Sequence, residues 1–103
     1  MIARPPRYSL DRVQRLVTAD RYRVTDSARR GAMKLGLDES DIVECVAGLL
    51  PGHFYKTMES QRSAGTWQDV YRPSLSGITL YVKVQIVGAD PTDLTVIISF
   101  KRL

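Results

Sequence analysis

Up to Pro51 apolar residues recur about every 3.6 positions; beyond it they recur every second position, so the chain should build helices first and strands second. Before the switch, Ser9 can cap a first helix whose Leu10, Val13, Leu16 and Val17 fall on one face, with Arg12 and Arg15 outward and an end near Asp20. Thr25 can cap a second, with Ala28, Ala32 and Leu35 spaced for burial and Gly36 as its stop. Asp38 can cap a third, carrying Ile42, Val43, Val46 and Leu49, which Pro51 and Gly52 terminate. After the switch, Ile78, Leu80, Val82, Val84 and Ile86 alternate with Thr79, Tyr81, Lys83, Gln85 and Val87. Leu94, Val96, Ile98 and Phe100 continue the same parity in a last strand, and Gly88 to Asp93 supplies the turn between them.

Helices followed by strands predict an α+β fold, with the N-terminal helices covering one face of a twisted antiparallel sheet and leaving the other face free. A chain of 103 residues makes one domain, residues 1–103, that buries roughly two thirds of its unfolded surface. Even-numbered positions of the last two strands then face the helices. Tyr81, Lys83, Gln85, Ser99 and Lys101 form the open face. Phe54 to Met58 and Trp67 to Arg72 read as an earlier hairpin around the polar Ser60 to Thr66. With Trp67 and Tyr71 packed inward, Gln68 and Arg72 join the open face; Tyr55 packs, while Lys56 and Met58 look out.

The N-terminal stretch M-I-A-R-P-P-R-Y-S-L-D-R has no apolar export core, and no run of about 18 apolar residues occurs, so neither export nor a membrane span is expected and the compartment is the cytoplasm. Cys45 is the single cysteine, which excludes an internal disulfide and a cysteine zinc cage; flanked by Ile42 and Leu49 on a helix, it reads as a core thiol. Residues 1–34 hold nine Arg or Lys against three Asp, a net +6, residues 35–60 a net −4, and the remainder a net +2. A basic front end suits a polyanion or an acidic partner, and equally a solvated helix face.

Lys56, Gln68, Arg72, Tyr81 and Lys101 on one sheet face offer cations, an amide, a guanidinium fork and a phenol without a carboxylate cluster, which disfavours hydrolysis through bound metals. RNA brings its own nucleophile, the 2′-hydroxyl, so cleavage needs only a base there, an acid at the 5′-leaving oxygen and positive charge on the phosphoryl oxygens. Neighbouring cations are expected to favour the Tyr81 phenolate and to lower one another's affinity for protons. Against this, Lys, Arg and Tyr on a solvent-facing sheet are ordinarily plain solvated positions. His53, the sole histidine, sits at the strand start. Trp67 and Phe54 could stack bases, although such strand aromatics more often fill a core.

The stretches F-Y-K-T-M and W-Q-D-V-Y-R-P resemble the MqsR family of bacterial toxins, of the wider RelE-like fold group, as do L-x-x-V-x-x-L-V in the first helix, L-G-L-D at Leu35 to Asp38 and the S-F-K ending. The resemblance implies a ribosome-independent, metal-independent mRNA endoribonuclease without cofactor, cutting near GC-containing triplets such as GCU. It puts Lys56, Gln68, Tyr81 and Lys101 at the family's proposed catalytic positions, with Tyr55, Met58 and Arg72 beside them; these three, together with Lys83, which parity places on the same face, are the expected substrate contacts. Tyr81 and Lys56 would be the proton-transfer pair, either one the base, Lys101 and Arg72 would stabilise the phosphate, and Gln68 would position it. A cognate antitoxin similar to MqsA is also implied, with zinc and a DNA-binding helix-turn-helix on its own chain. His53, where the family is acidic, and a longer G-A-D-P-T-D turn depart from the pattern.

Two other readings remain open. Ala28 to Leu49 could form the helix-turn-helix of a winged-helix DNA-binding protein, although the segment Glu39 to Leu49 carries Asp41 and Glu44 and no Lys or Arg. A non-catalytic interaction module could instead dock an acidic partner through Arg12 and Arg15.

Overall fold

The computed structural model describes residues 4–103; residues 1–3, part of the stretch read above for an export signal, lie outside the described residues. The chain runs α1 (Leu10–Thr18), β1 (Tyr22–Val24), α2 (Asp26–Met33), α3 (Glu39–Ala47), a 3₁₀ turn (Pro51–His53), β2 (Phe54–Glu59), β3 (Trp67–Tyr71), β4 (Ser74–Leu75), β5 (Ile78–Val87) and β6 (Leu94–Arg102). All three expected caps form. Ser9 Oγ accepts from the Arg12 amide, Thr25 Oγ1 from Ala28, and Asp38 makes a reciprocal capping box with Asp41. Gly36, at φ +75°, ends the α2 region as anticipated.

The sheet order is β1-β6-β5-β3-β2, with β4 paired to the start of β5. Every pairing is antiparallel except β1 with β6, so the expected antiparallel sheet is mixed at one edge. The periodicity argument misses β1 because three residues, one of them charged, carry no legible alternation. Tertiary pairing makes it a strand: Thr25 N–H donates to Ile97 O and Thr95 N–H to Arg21 O.

The core lies between the helices and one sheet face. Val13, Leu16 and Val17 of α1, Ala28 and Ala32 of α2, and Ile42 and Val46 of α3 pack on Tyr71, Leu80, Val82, Val84, Ile97 and Phe100. In β5 the even positions point inward, as expected. β6 departs from the expectation in its first half, where Thr95 and Ile97 are buried and Leu94, Val96 and Ile98 are only half-buried. The pairing explains the change: Lys83 opposes Ser99 and Val84 opposes Ile97, leaving Ile98 as an extra residue on β6. Such a bulge moves every side chain on one side of it to the other face. Beyond the bulge the even position Phe100 faces the core, which returns Ser99 and Lys101 to the open face.

The N-terminal segment is tied across the sheet. Arg7 N–H and Tyr8 N–H donate to the two carboxylate oxygens of Asp69, each at 2.9 Å, and the Tyr8 hydroxyl donates to Trp67 O. The Arg4 and Arg7 guanidinium groups lie 4.8 and 5.7 Å from the Trp67 ring centre.

Candidate functional site

The strand register sorts the open face into cross-strand rows. Lys56 of β2 opposes Val70 of β3, Val70 opposes Lys83 of β5, and Lys83 opposes Ser99 of β6. One row along, Met58 opposes Gln68, Gln68 Nε2 donates to Gln85 Oε1 at 3.2 Å, and Gln85 opposes Val96. On the other side, Tyr81 opposes Lys101, and Arg72 extends β3 toward Tyr81. All eight residues selected from the sequence therefore meet on one face: Tyr55, Lys56, Met58, Gln68, Arg72, Tyr81, Lys83 and Lys101.

Tyr55 arrives by a different route from the one expected. The β2–β3 register slips between Phe54 and Lys56, making Tyr55 the extra residue, so it is half-exposed instead of packed. Its ring lies 4.4 Å from the Arg72 guanidinium and 5.6 Å from the Lys56 ammonium. Phe54 takes the inward position and meets Tyr71 edge to face.

Tyr81 is the centre of the cluster. The Lys101 and Lys83 ammonium groups lie 5.1 and 6.0 Å from its ring centre, and its hydroxyl reaches Met58 Sδ at 3.8 Å. Burial, and then the neighbouring Tyr55, raise the Tyr81 pKa above its ordinary value. The expectation that surrounding cations would favour the phenolate is thus overturned: loss of water from around the hydroxyl, and Tyr55 beside it, both favour the protonated phenol. Its companion expectation holds at Lys83, where burial first, then repulsion from Lys101 and Lys56, lower the pKa. The face accordingly combines a phenol that keeps its proton with an amine that gives one up more readily than usual.

A groove of about 510 Å³ opens over part of this face, lined by Met58, Gln68, Tyr81 and Lys83 and not by Tyr55, Lys56, Arg72 or Lys101. Gln68, Tyr81, Lys83 and Ser99 form its floor, the β2–β3 loop at Ser60 to Arg62 one wall, and Thr25 and Ser27 at the start of α2 the other. Sequence reasoning missed that second wall because α2 reaches the groove only through tertiary packing. Asp69, the acid inside W-Q-D-V-Y-R-P, is also absent from the face; it points to the opposite side and is fully buried on the N-terminal segment.

A family model described as "Motility quorum-sensing regulator, toxin of MqsA" matches residues 5–102. The chain belongs to the MqsR toxin family. It is 37% identical over 102 residues to the mRNA interferase toxin MqsR of Escherichia coli (strain K12), covering 99% of both chains.

Other sequence candidates lie elsewhere. His53 Nδ1 accepts from the Leu50 N–H at 2.9 Å, and His53 borders a cleft with Cys45, Asp41 and Glu44. Burial pushes the Cys45 thiol up to about 11, in line with an unreactive packing role. α3 presents Glu39, Ser40 and Glu44 along a surface depression and has no basic residue in its last turn, which is unsuited to DNA phosphates. Arg12 and Arg15 are engaged within the chain, with Asp93 and Asp11 respectively, each at 2.8 Å. Among the described residues no helix is long and apolar enough to cross a membrane.

Proposed function

We propose that this single-domain protein is an mRNA endoribonuclease toxin that cleaves on the open sheet face through the 2′-hydroxyl of its substrate. The observation that carries the reading is the convergence of Lys83 and Lys101 on a protonated Tyr81, with Lys56 close enough to Lys83 to lower its pKa, on a chain 37% identical to an mRNA interferase. Tyr81 and Lys56 are the proton-transfer pair expected from the sequence, but the lowered pKa of Lys83 favours Lys83 as the base: in its unprotonated form the Lys83 amine takes the proton of the 2′-hydroxyl, whose oxygen attacks the adjacent phosphorus. The bond from phosphorus to the 5′-oxygen breaks, and the Tyr81 hydroxyl protonates the departing oxygen. The products are a 2′,3′-cyclic phosphate and a 5′-hydroxyl. Lys56, Lys101 and Arg72 hold the charge on the phosphoryl oxygens, and Lys56 and Lys101 also keep Lys83 prone to deprotonate. Gln68, oriented by Gln85, positions the strand, with Tyr55 and Met58 as surfaces for flanking bases.

The chemistry needs no metal: the catalytic groups supply acid, base and positive charge by themselves. Substrates are mRNA sites near GC-containing triplets, in the cytoplasm. The family description, toxin of MqsA, supports neutralisation by a cognate antitoxin that carries its own zinc and helix-turn-helix. Substitution of the reacting groups tests the assignment. Tyr81→Phe and Lys83→Met should each lower single-turnover cleavage of a GCU-containing RNA by about 10²- to 10⁴-fold while leaving the fold intact. Unchanged cleavage in both variants would remove the chemistry from this face.

A further inference from the structure

Beside the cleavage groove, a second groove of about 340 Å³ runs between α2 and the end of β6. It is lined by Arg30, Lys34, Lys101 and Arg102, and no carboxylate takes part in the lining. Ser27, Arg30 and Lys34 are spaced three and seven positions apart, so they form one stripe along α2. Gly31 fixes where that stripe sits: a Cβ there would collide with the Phe100 carbonyl oxygen, so helix and strand touch backbone to backbone. Ser27 and Ser99 line both grooves, which makes the two surfaces continuous. Among the described residues, Arg12, Arg15, Arg21 and Arg29 are all in ion pairs, whereas Arg30, Lys34, Lys101 and Arg102 are in none. Four uncompensated cations along a groove repel one another and are suited to a polyanion laid against them.

We propose that this α2–β6 groove is the track for the RNA strand flanking the cut, gripped through its phosphates by Arg30, Lys34 and Arg102, with Lys101 at the junction with the reacting groups. This rests on the open face being the cleavage site. The groove provides cationic contacts, and its one aromatic lining residue, Phe100, is only 1% exposed and unavailable for stacking, so the groove adds affinity without reading bases. Triplet choice stays with the cleavage groove.

The test uses two RNAs blocked by a single 2′-deoxy sugar at the cut: one confined to the triplet, the other extended by about six nucleotides on each side, within the range a single-strand site covers. Binding is measured across a salt series for the wild type and an Arg30→Gln/Lys34→Gln variant. Two lost phosphate contacts make the log–log salt slope for the extended RNA shallower by about 1.4, so the variant loses about 7-fold less affinity between 50 and 200 mM salt. Equal slopes on the extended RNA overturn the track, and would do so equally if the variant lost affinity for an acidic protein partner instead. Cleavage of the unblocked RNA is followed in parallel. A slope difference without wild-type cleavage leaves the groove as an RNA-binding surface but discards the cleavage reading and with it the cut the track would flank, whereas cleavage with equal slopes overturns the track alone.

Discussion

In the proposed mechanism Lys83 serves activity at the expense of stability. Its folded pKa lies below the ordinary 10.5 because burial, Lys101 and Lys56 all disfavour the ammonium. The unfolded chain therefore binds the proton more tightly, so Lys83 destabilises the fold at neutral pH, and that penalty fades as pH rises through the folded pKa. Lys83→Met should raise the Tm at pH 7 while lowering cleavage by the same factor of about 10²- to 10⁴-fold, a pairing that a merely solvated lysine would not produce. For a base, the neutral form is the active one, so the rate should climb with pH and level off below 10.5. Lys101→Met removes one repulsion and should move that climb to higher pH, measured as a pH–rate profile. Gly31 makes a purely steric demand. Gly31→Ala forces α2 away from β6 and should cost about 1–3 kcal/mol, read as a Tm drop of roughly 4–8 °C per kcal/mol.

At the scale of elements, Asp69 links the W-Q-D-V-Y-R-P strand to the N-terminal segment through two amide donors. Asp69→Ala leaves both donors without that acceptor and should destabilise by about 1–3 kcal/mol, with faster amide exchange at Arg7 and Tyr8. Cleavage should change far less than stability, because Asp69 lies on the face opposite the groove. The same elements show what could be read beforehand. Caps and apolar spacing gave the three helices to within a residue or two because Ser9, Thr25 and Asp38 act locally. Parity placed Lys56, Gln68, Arg72, Tyr81, Lys83 and Lys101 on one face because alternation is also local. The displaced Tyr55 and the inward Thr95 and Ile97 follow from bulges, which depend on the partner strand's register and leave no mark in composition. The rise in the Tyr81 pKa was likewise unreadable, since burial is a property of the packed sheet.

Across the whole molecule, α3 differs in charge from α2 and the open sheet face. Acids of α3 lie on the helix side, while the uncompensated cations collect on the open sheet face and along α2. RNA should therefore approach in a preferred orientation, with an association rate that falls as salt is added. Asp93, only 4% exposed, ties α1 to β1 and the β5–β6 turn by pairing with Arg12 and Arg21 at 2.8 and 2.9 Å. The hydrogen bond from Arg12 leads in holding its pKa below 3.8. That stabilisation is complete above the unfolded value and is lost as pH falls through the lower folded one. The Tm gap between wild type and Asp93→Asn should hold steady at neutral pH and close in acid below about pH 4.

The central claim is that the open face cuts RNA with its own side chains and the substrate's 2′-hydroxyl. The most direct measurement is to incubate the purified protein with a GCU-containing RNA in excess EDTA and determine the chemistry of the new ends. A 2′,3′-cyclic phosphate paired with a 5′-hydroxyl, lost in Tyr81→Phe, is the predicted result. Cleavage that stops in EDTA, or that leaves a 5′-phosphate, would contradict it.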